Sequence, residues 1–305
     1  MKRVAVRLCT RSWRGGVAAD REVLGVLAEL QAPKRQPNLL FASVRYLYGA
    51  PTGWTQFRNW VFERRDEIVT VIRVRRTQTN EPARCATLLP LLATLPQPLA
   101  LLEVGAAAGL CLLADRYAYD YNSHNVAPSR PVAAVAPHVQ MPRELLNSAS
   151  SARYRRAWRA GLDLEPLDVR DNDQMAWLEA LVWPGEGHRL ELLRAATEVA
   201  KLDPPALFRG DLCHDLPSLA AQAPSNATLV VFHTAVLAYV PDRRERAAFA
   251  ETVGELDAVW VANEAPGLVS HARRPDHAYR SDAFLLIQTR NRSRGPIPTE
   301  RASIG

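Results

Sequence analysis

Cysteine is scarce. The chain of 305 residues holds four, Cys9, Cys85, Cys111 and Cys213, with no C-x-x-C pair among them. That spacing excludes a zinc knuckle or a redox dithiol motif and leaves reduced, mostly buried thiols as the expectation. Long hydrophobic runs are missing too: no stretch approaches the ~18–20 apolar residues that cross a bilayer. The opening MKRVAVRLCTRSWRGG lacks the apolar core of a secretory signal. A cytoplasmic protein with no membrane partner is therefore expected. There is no G-x-S-x-G elbow and no Walker A loop, which removes the hydrolase and P-loop readings. Internal repeats are absent, and no metal is expected: Asp168, Asp171 and Asp173 read as a turn and a helix start.

The surplus of positive charge is smaller than it looks. The net +6 is concentrated at the ends: residues 1–19 carry five bases and no acid, and residues 289–305 carry four arginines and one glutamate. The ends sum to +8, which leaves the rest at −2. A nucleic-acid reader carries its basic footprint on the folded domain, so the distribution argues against a nucleic-acid partner. Both ends are expected to be disordered.

From Asp20 to about Leu95 the pattern is helical. Asp20 suits an N-cap ahead of Val23, Leu24, Leu27 and Leu30. Leu39–Tyr48 and Trp54–Arg76 give further helices, and Pro82 fits the first turn of another that Pro96 closes. After residue 97 strands and helices alternate, as a parallel sheet requires. Strands are expected at Leu99–Val104, Leu207–Arg209, Thr228–Phe232, Ala258–Ala262 and Ala283–Gln288. The second strand has two competing placements, Pro131–Val139 and Ala160–Leu164. The resulting expectation is an α/β chain with a doubly wound, mostly parallel sheet. Its parts are a basic arm (1–19), an N-terminal helical cap (20–96), a Rossmann-like core (97–288) and a basic tail (289–305).

One stretch organises the rest: LALLEVGAAAGLCLL, from Leu99 to Leu113. An apolar strand meets a small-residue turn, Gly105 to Gly109, and then an apolar segment of helical length. In such units a helix N-terminus and free backbone N–H groups face a ligand. The dinucleotide fingerprint G-x-G-x-x-G is not met, because Ala107 and Leu110 stand where it needs glycine. What remains is an acid, Glu103, two residues before the first glycine of G-x-x-x-G. Alanine at 107 suits the turn only with negative φ.

That pattern resembles the first motif of class I S-adenosylmethionine-dependent methyltransferases. TLVVFHTAVLAYVP and RRERAAFAETVGELDAVWVANEAPG resemble the fourth and fifth strands of that fold with their helices. The resemblance implies that Glu103, Gly105, Ala107 and Gly109 hold the amino-acid end of S-adenosylmethionine. It implies that Asp163 holds the ribose hydroxyls and that Asp211 faces the adenine amino group. Asp211 reads equally well as a helix cap. His233, after TLVVF, could act as a base near neutral pH, with Glu264 a weaker candidate; a satisfied core histidine is the competing reading. Thr79, Asn80, Glu81 and Arg84 in TQTNEPAR would form a lid that binds substrate, or Asn80 would only cap a helix. More narrowly, KRQPNLL, RRTQTNEPARC, GLDLEPLDV, WLEALVWP and GDLCHDLP resemble an actinobacterial family of uncharacterised proteins with this core. The implied activity is methyl transfer to a small-molecule oxygen or nitrogen. A non-catalytic cofactor-binding or regulatory module, and a different α/β enzyme such as a dinucleotide-dependent oxidoreductase, remain open.

Overall fold

The computed structural model describes residues 13, 15–78, 80–121, 124–126, 138–139, 153–269, 284–290 and 302–304. Ahead of the first strand run α1 (Arg21–Ala28), α2 (Pro37–Tyr48), α3 (Trp54–Glu63), α4 (Arg65–Val74) and α5 (Cys85–Thr94). Later come α6 (Asn172–Ala180), α7 (Gly187–Leu202), α8 (Leu216–Ala220) and α9 (Arg243–Glu255). The chain divides into two compact units, Met1–Thr79 with Asp168–Arg194, and Asn80–Leu167 with Ala195–Gly305.

The first unit is helical. Asp20 caps α1 as its position predicts, its Oδ1 accepting from the N–H groups of Glu22 and Val23. Val23 and Leu27 of α1, Leu40 and Val44 of α2, Phe57 and Val61 of α3, and Ile68 and Ile72 of α4 form a continuous core. The expected single helix Trp54–Arg76 is instead two, because Arg64 leaves helical geometry at φ −121°. Two boundaries also differ from the sequence reading. Residues 15–19 are helical, and Trp13 and Val17 are buried in this core, so the described part of the arm, residues 13 and 15–19, is structured. Burying those two side chains offsets the ordering of a short basic segment. Residues 168–194, expected in the sheet core, belong here because Trp177 is buried in the helical unit, with its Nε1 donating to Arg76 O at 2.9 Å.

The second unit is built on a sheet of β1 (Leu99–Val104), β5 (Arg156–Asp163), β6 (Ala206–Arg209), β7 (Thr228–Thr234), β8 (Val259–Glu264), β9 (Phe284–Arg290) and β10 (Ala302–Ile304). Its order is β10-β9-β8-β7-β1-β5-β6. The strands from β6 to β8 are parallel, and β9 and β10 add antiparallel pairings. β1 is buried along its whole length, which is why LALLEV reads as a continuous apolar run interrupted only by Glu103. Of the two placements for the second strand, the one at Ala160–Leu164 overlaps the true strand. His138–Val139, from the other, pairs with β2 (Tyr119–Tyr121) in a separate small sheet that also contains β3 (His124–Val126). The basic tail is corrected in part, since β9 runs to Arg290 and Ala302–Ile304 pairs with it at the sheet edge. Among the described residues no helix is long and apolar enough to cross a membrane.

Candidate functional site

The parallel strands reverse direction of progress at β1: the chain moves outward through β5 and β6 on one side, then returns to β7 and β8 on the other. Ligands of open α/β sheets collect at that switch point, beyond the carboxyl ends of the strands. Here the place is occupied by the Gly105–Gly109 turn and by the residues that follow β7.

The turn is left-handed at three positions: Gly105 at φ +70°, Ala107 at φ +48° and Gly109 at φ +69°. Ala107 thus departs from the negative φ expected of it. A left-handed non-glycine residue costs about 1–2 kcal/mol, and the neighbours that hold it there are explicit. Asp163 Oδ2 accepts from Ala107 N at 2.8 Å, and Ala107 O accepts from Leu167 N at 3.0 Å. Asn80 closes the turn from the other side: its Nδ2 donates to Ala106 O at 3.1 Å, and its Oδ1 accepts from Leu110 N at 2.8 Å.

These and neighbouring bonds engage five of the amides expected to be free, those of Gly105, Ala106, Ala107, Gly109 and Leu110. Gly105 N and Ala106 N both donate to Leu162 O, and Gly109 N donates to Ala106 O. The segment after the turn is a 3-10 helix, Leu110–Arg116, kinked at Leu113, and not the α-helix expected from its apolar length. A Cβ on Gly105 would lie 2.4 Å from Val236 Cγ2, and one on Gly109 would lie 2.6 Å from Pro205 Cγ. These glycines are demanded both by φ and by close packing.

Strand parity sorts the polar groups at this edge. Neighbours in a parallel pair share a face, and alternate residues along a strand return to it. Glu103 stands beside Phe232, and Thr234 stands beside Asn263. One face therefore carries Glu103, Asp163, Thr234 and Asn263. Val104 stands beside His233, and His233 beside Ala262, which puts His233 and Glu264 on the opposite face.

On the first face Glu103 is 1% exposed, and its Oε2 has no hydrogen-bond partner among the described residues. Burial pushes its carboxyl well above the ordinary range; nearby Cys111 and Asp163 push the same way, and Arg84 opposes them. The Cys111 thiol is itself raised by its hydrogen bond with Cys85 and by burial. Arg84 Nη1 donates to Thr234 O at 2.8 Å and to Thr234 Oγ1 at 3.1 Å. Asn263 is buried, and no hydrogen bond of its side-chain amide is found among the described residues.

On the second face His233 and Glu264 are completely buried, with Nδ1 and Oε1 2.7 Å apart. The His233 ring packs against Phe249 and Trp260. Glu264 Oε1 also accepts from Val236 N and Leu237 N, at 2.8 and 3.2 Å. The sequence offers His233 as a candidate base and Glu264 as a weaker one, against the competing reading of a satisfied core histidine. The structure does not bring either together with Glu103, because both residues have the wrong parity.

The remaining expected site residues divide similarly. Asp163 is half-buried, and its other oxygen accepts from Glu165 N at 2.8 Å. Asp211 Oδ1 accepts from Cys213 N and His214 N, the arrangement of a capping side chain. Those N–H groups and His214 outweigh burial and hold its carboxyl below the ordinary range. Glu81 caps its own short turn through Ala83 N. Thr79 lies outside the described residues. Among those residues no group of His, Cys, Asp and Glu is arranged to hold a metal ion.

Residues 7–283 match DUF2332, a family described as uncharacterised proteins conserved in bacteria. The chain belongs to this family. No curated protein and no solved structure matches it. Within this DUF2332 chain, Thr234, Asn263 (set at this edge by the sequence but given no role) and Cys111 are site-face residues whose part sequence reasoning missed. The parity of TLVVFHT and VWVANE relative to Glu103 is the signal that identifies the first two, and it needs the strand register.

Proposed function

We propose that the carboxyl edge of β1 and β7 binds S-adenosylmethionine and that the chain transfers its methyl group to a small-molecule oxygen or nitrogen. The observation that carries this reading is the buried, unpartnered Oε2 of Glu103 beside the switch-point turn. A carboxyl oxygen sealed from water without a donor is costly, and a ligand ammonium brought to it would supply both charge and donor. The motif resemblance puts the amino-acid end of the cofactor at this spot. Asp163 fits a ribose: each of its oxygens accepts one backbone N–H and retains capacity for a hydroxyl. When bound, the cofactor supplies an electrophilic methyl on sulfur.

The chain's own contribution is then to bind, orient and exclude water, since displacement at that carbon depends chiefly on alignment. An arriving ammonium would oppose the upward shift that burial imposes on Glu103, and any proton the carboxyl carries would pass to solvent. Asn263, on the same face and with no side-chain hydrogen bond among the described residues, is the group proposed to orient an acceptor. His233 is not asked to act as base.

Titration calorimetry with S-adenosylmethionine tests the reading. Binding weakened at least about tenfold in Glu103→Gln is expected. Folded protein that takes up no cofactor at millimolar concentration overturns it. The inward-turned amides favour a second reading, a module that binds the cofactor without turnover; cofactor binding with no methyl transfer across a broad acceptor panel distinguishes the two.

A further inference from the structure

The buried His233–Glu264 pair on the far face touches the candidate site through one short turn. Directly after β7, Ala235 is left-handed at φ +55°, and its N–H donates to Asn263 O at 2.9 Å. The next two amides, of Val236 and Leu237, both donate to Glu264 Oε1, the same oxygen that His233 Nδ1 engages. These bonds aim the Val236 side chain at Gly105, where it fills the position of the missing Cβ. Val236 and Ala235 are half-exposed at the carboxyl edge, whereas Glu264 and His233 are sealed beneath it.

We propose that Glu264, held by His233, is a positioning residue that fixes the Ala235–Leu237 turn so that Val236 sets the shape of the ligand site above Gly105. It acts from the α9 face on chemistry at the other face and touches no ligand itself. This inference rests on the cofactor reading above for the identity of the ligand, not for the latch.

A double-mutant cycle separates positioning from general support. Dissociation constants for S-adenosylmethionine are measured for the wild type, Glu264→Gln, Val236→Ala and the double variant, with unfolding midpoints recorded alongside. Glu264→Gln keeps the size and one acceptor oxygen of the native side chain, so the turn is loosened while the core stays filled. Each single change is expected to shift the dissociation constant by about fivefold or more, the scale of coupling between residues in contact. In the Val236→Ala background, Glu264→Gln should then change it less than about twofold. Additive effects in the cycle overturn the proposal, as does an unchanged constant in Glu264→Gln.

If the wild type takes up no cofactor, the functional reading fails, and amide hydrogen exchange still decides the latch. Glu264→Gln should speed exchange at Val236 and Leu237 and also across 105–109. Acceleration confined to 236 and 237 would show that the turn does not govern the Gly105 region, and the proposal would fall.

Discussion

Replacing Asn80 with alanine removes a clamp whose two bonds end on buried backbone groups. Ala106 and Leu110 are completely buried; when the amide is gone Ala106 O keeps the bond from Gly109 N, whereas Leu110 N is left with neither partner nor water. A buried polar group left unpaired costs about 1–3 kcal/mol. One such group, together with the lost bond to Ala106 O, gives about 2–4 kcal/mol. For a domain of this size that is a fall in unfolding midpoint of about 5–10 °C. Asn80→Asp is the informative control. It keeps an acceptor for Leu110 N at 2.8 Å and loses the donor to Ala106 O, so it should cost about half as much. Circular dichroism on thermal and urea unfolding gives both numbers. Because the chain has two compact units, exchange protection at residues 105–110 should be read beside the global curves. An Asn80→Ala protein within about 0.5 kcal/mol of wild type, with residues 105–110 still protected, would refute the clamp.

Glu103 makes stability depend on pH with a definite sign. Its folded carboxyl titrates above the unfolded one, so its contribution is complete at low pH and is lost as pH rises through the folded value. Glu103→Gln should flatten that decline, and its advantage over wild type in unfolding midpoint should grow from pH 5 to pH 9; an advantage that shrinks with pH contradicts the burial argument. Ala235→Gly relieves a left-handed residue at φ +55° and should stabilise by about 0.5–1 kcal/mol in urea unfolding, after allowance for the freer unfolded chain. Gly105→Ala forces a Cβ to 2.4 Å from Val236 at φ +70° and should destabilise by about 2–4 kcal/mol. Adding Val236→Ala should recover only the steric part; full recovery would mean that φ at 105 carries no cost.

The strands were legible because burial on both faces writes itself as apolar runs: LALLEV and TLVVF read as strands before any coordinates. Asp20 was legible for a similar reason, since a cap is a local signal. The second strand was not, because Arg156–Asp163 carries arginines on a face where they pair with acids and so lacks an apolar run. Arg159 is buried and bonded to Asp203, 44 residues away. The unit boundary at residue 80 was hidden as well. TQTNEPAR is polar enough for a lid, and nothing local in it reveals that Asn80 is bound to Ala106 and Leu110. His233 and Glu103 both end strands, and a one-dimensional reading places them at one edge without saying which side of it each faces. Register supplies that, and register is a property of pairs of strands.

The face assignment constrains which ligands this edge can accept. A pyrophosphate needs unpaired N–H groups or cations at the turn, yet the amides of Gly105, Ala106, Ala107, Gly109 and Leu110 all donate within the protein. What the edge holds toward the turn instead is Glu103, with Asp163 on the same face and Arg84 bonded to Thr234. Asp163 and an ionised Glu103 would repel a pyrophosphate and attract an ammonium. The two α/β readings left open by the sequence therefore part company in a single titration series. S-adenosylmethionine and a simple α-amino acid such as methionine should bind in that order of affinity, with both weakened by Glu103→Gln. Adenine dinucleotides and nucleoside triphosphates should bind at least about a hundredfold more weakly than the sulfonium compound, the equivalent of about 2.7 kcal/mol. Dinucleotide binding of equal strength would mean that the turn opens its amides to a phosphate, and the inward bonding described above would not then govern ligand choice.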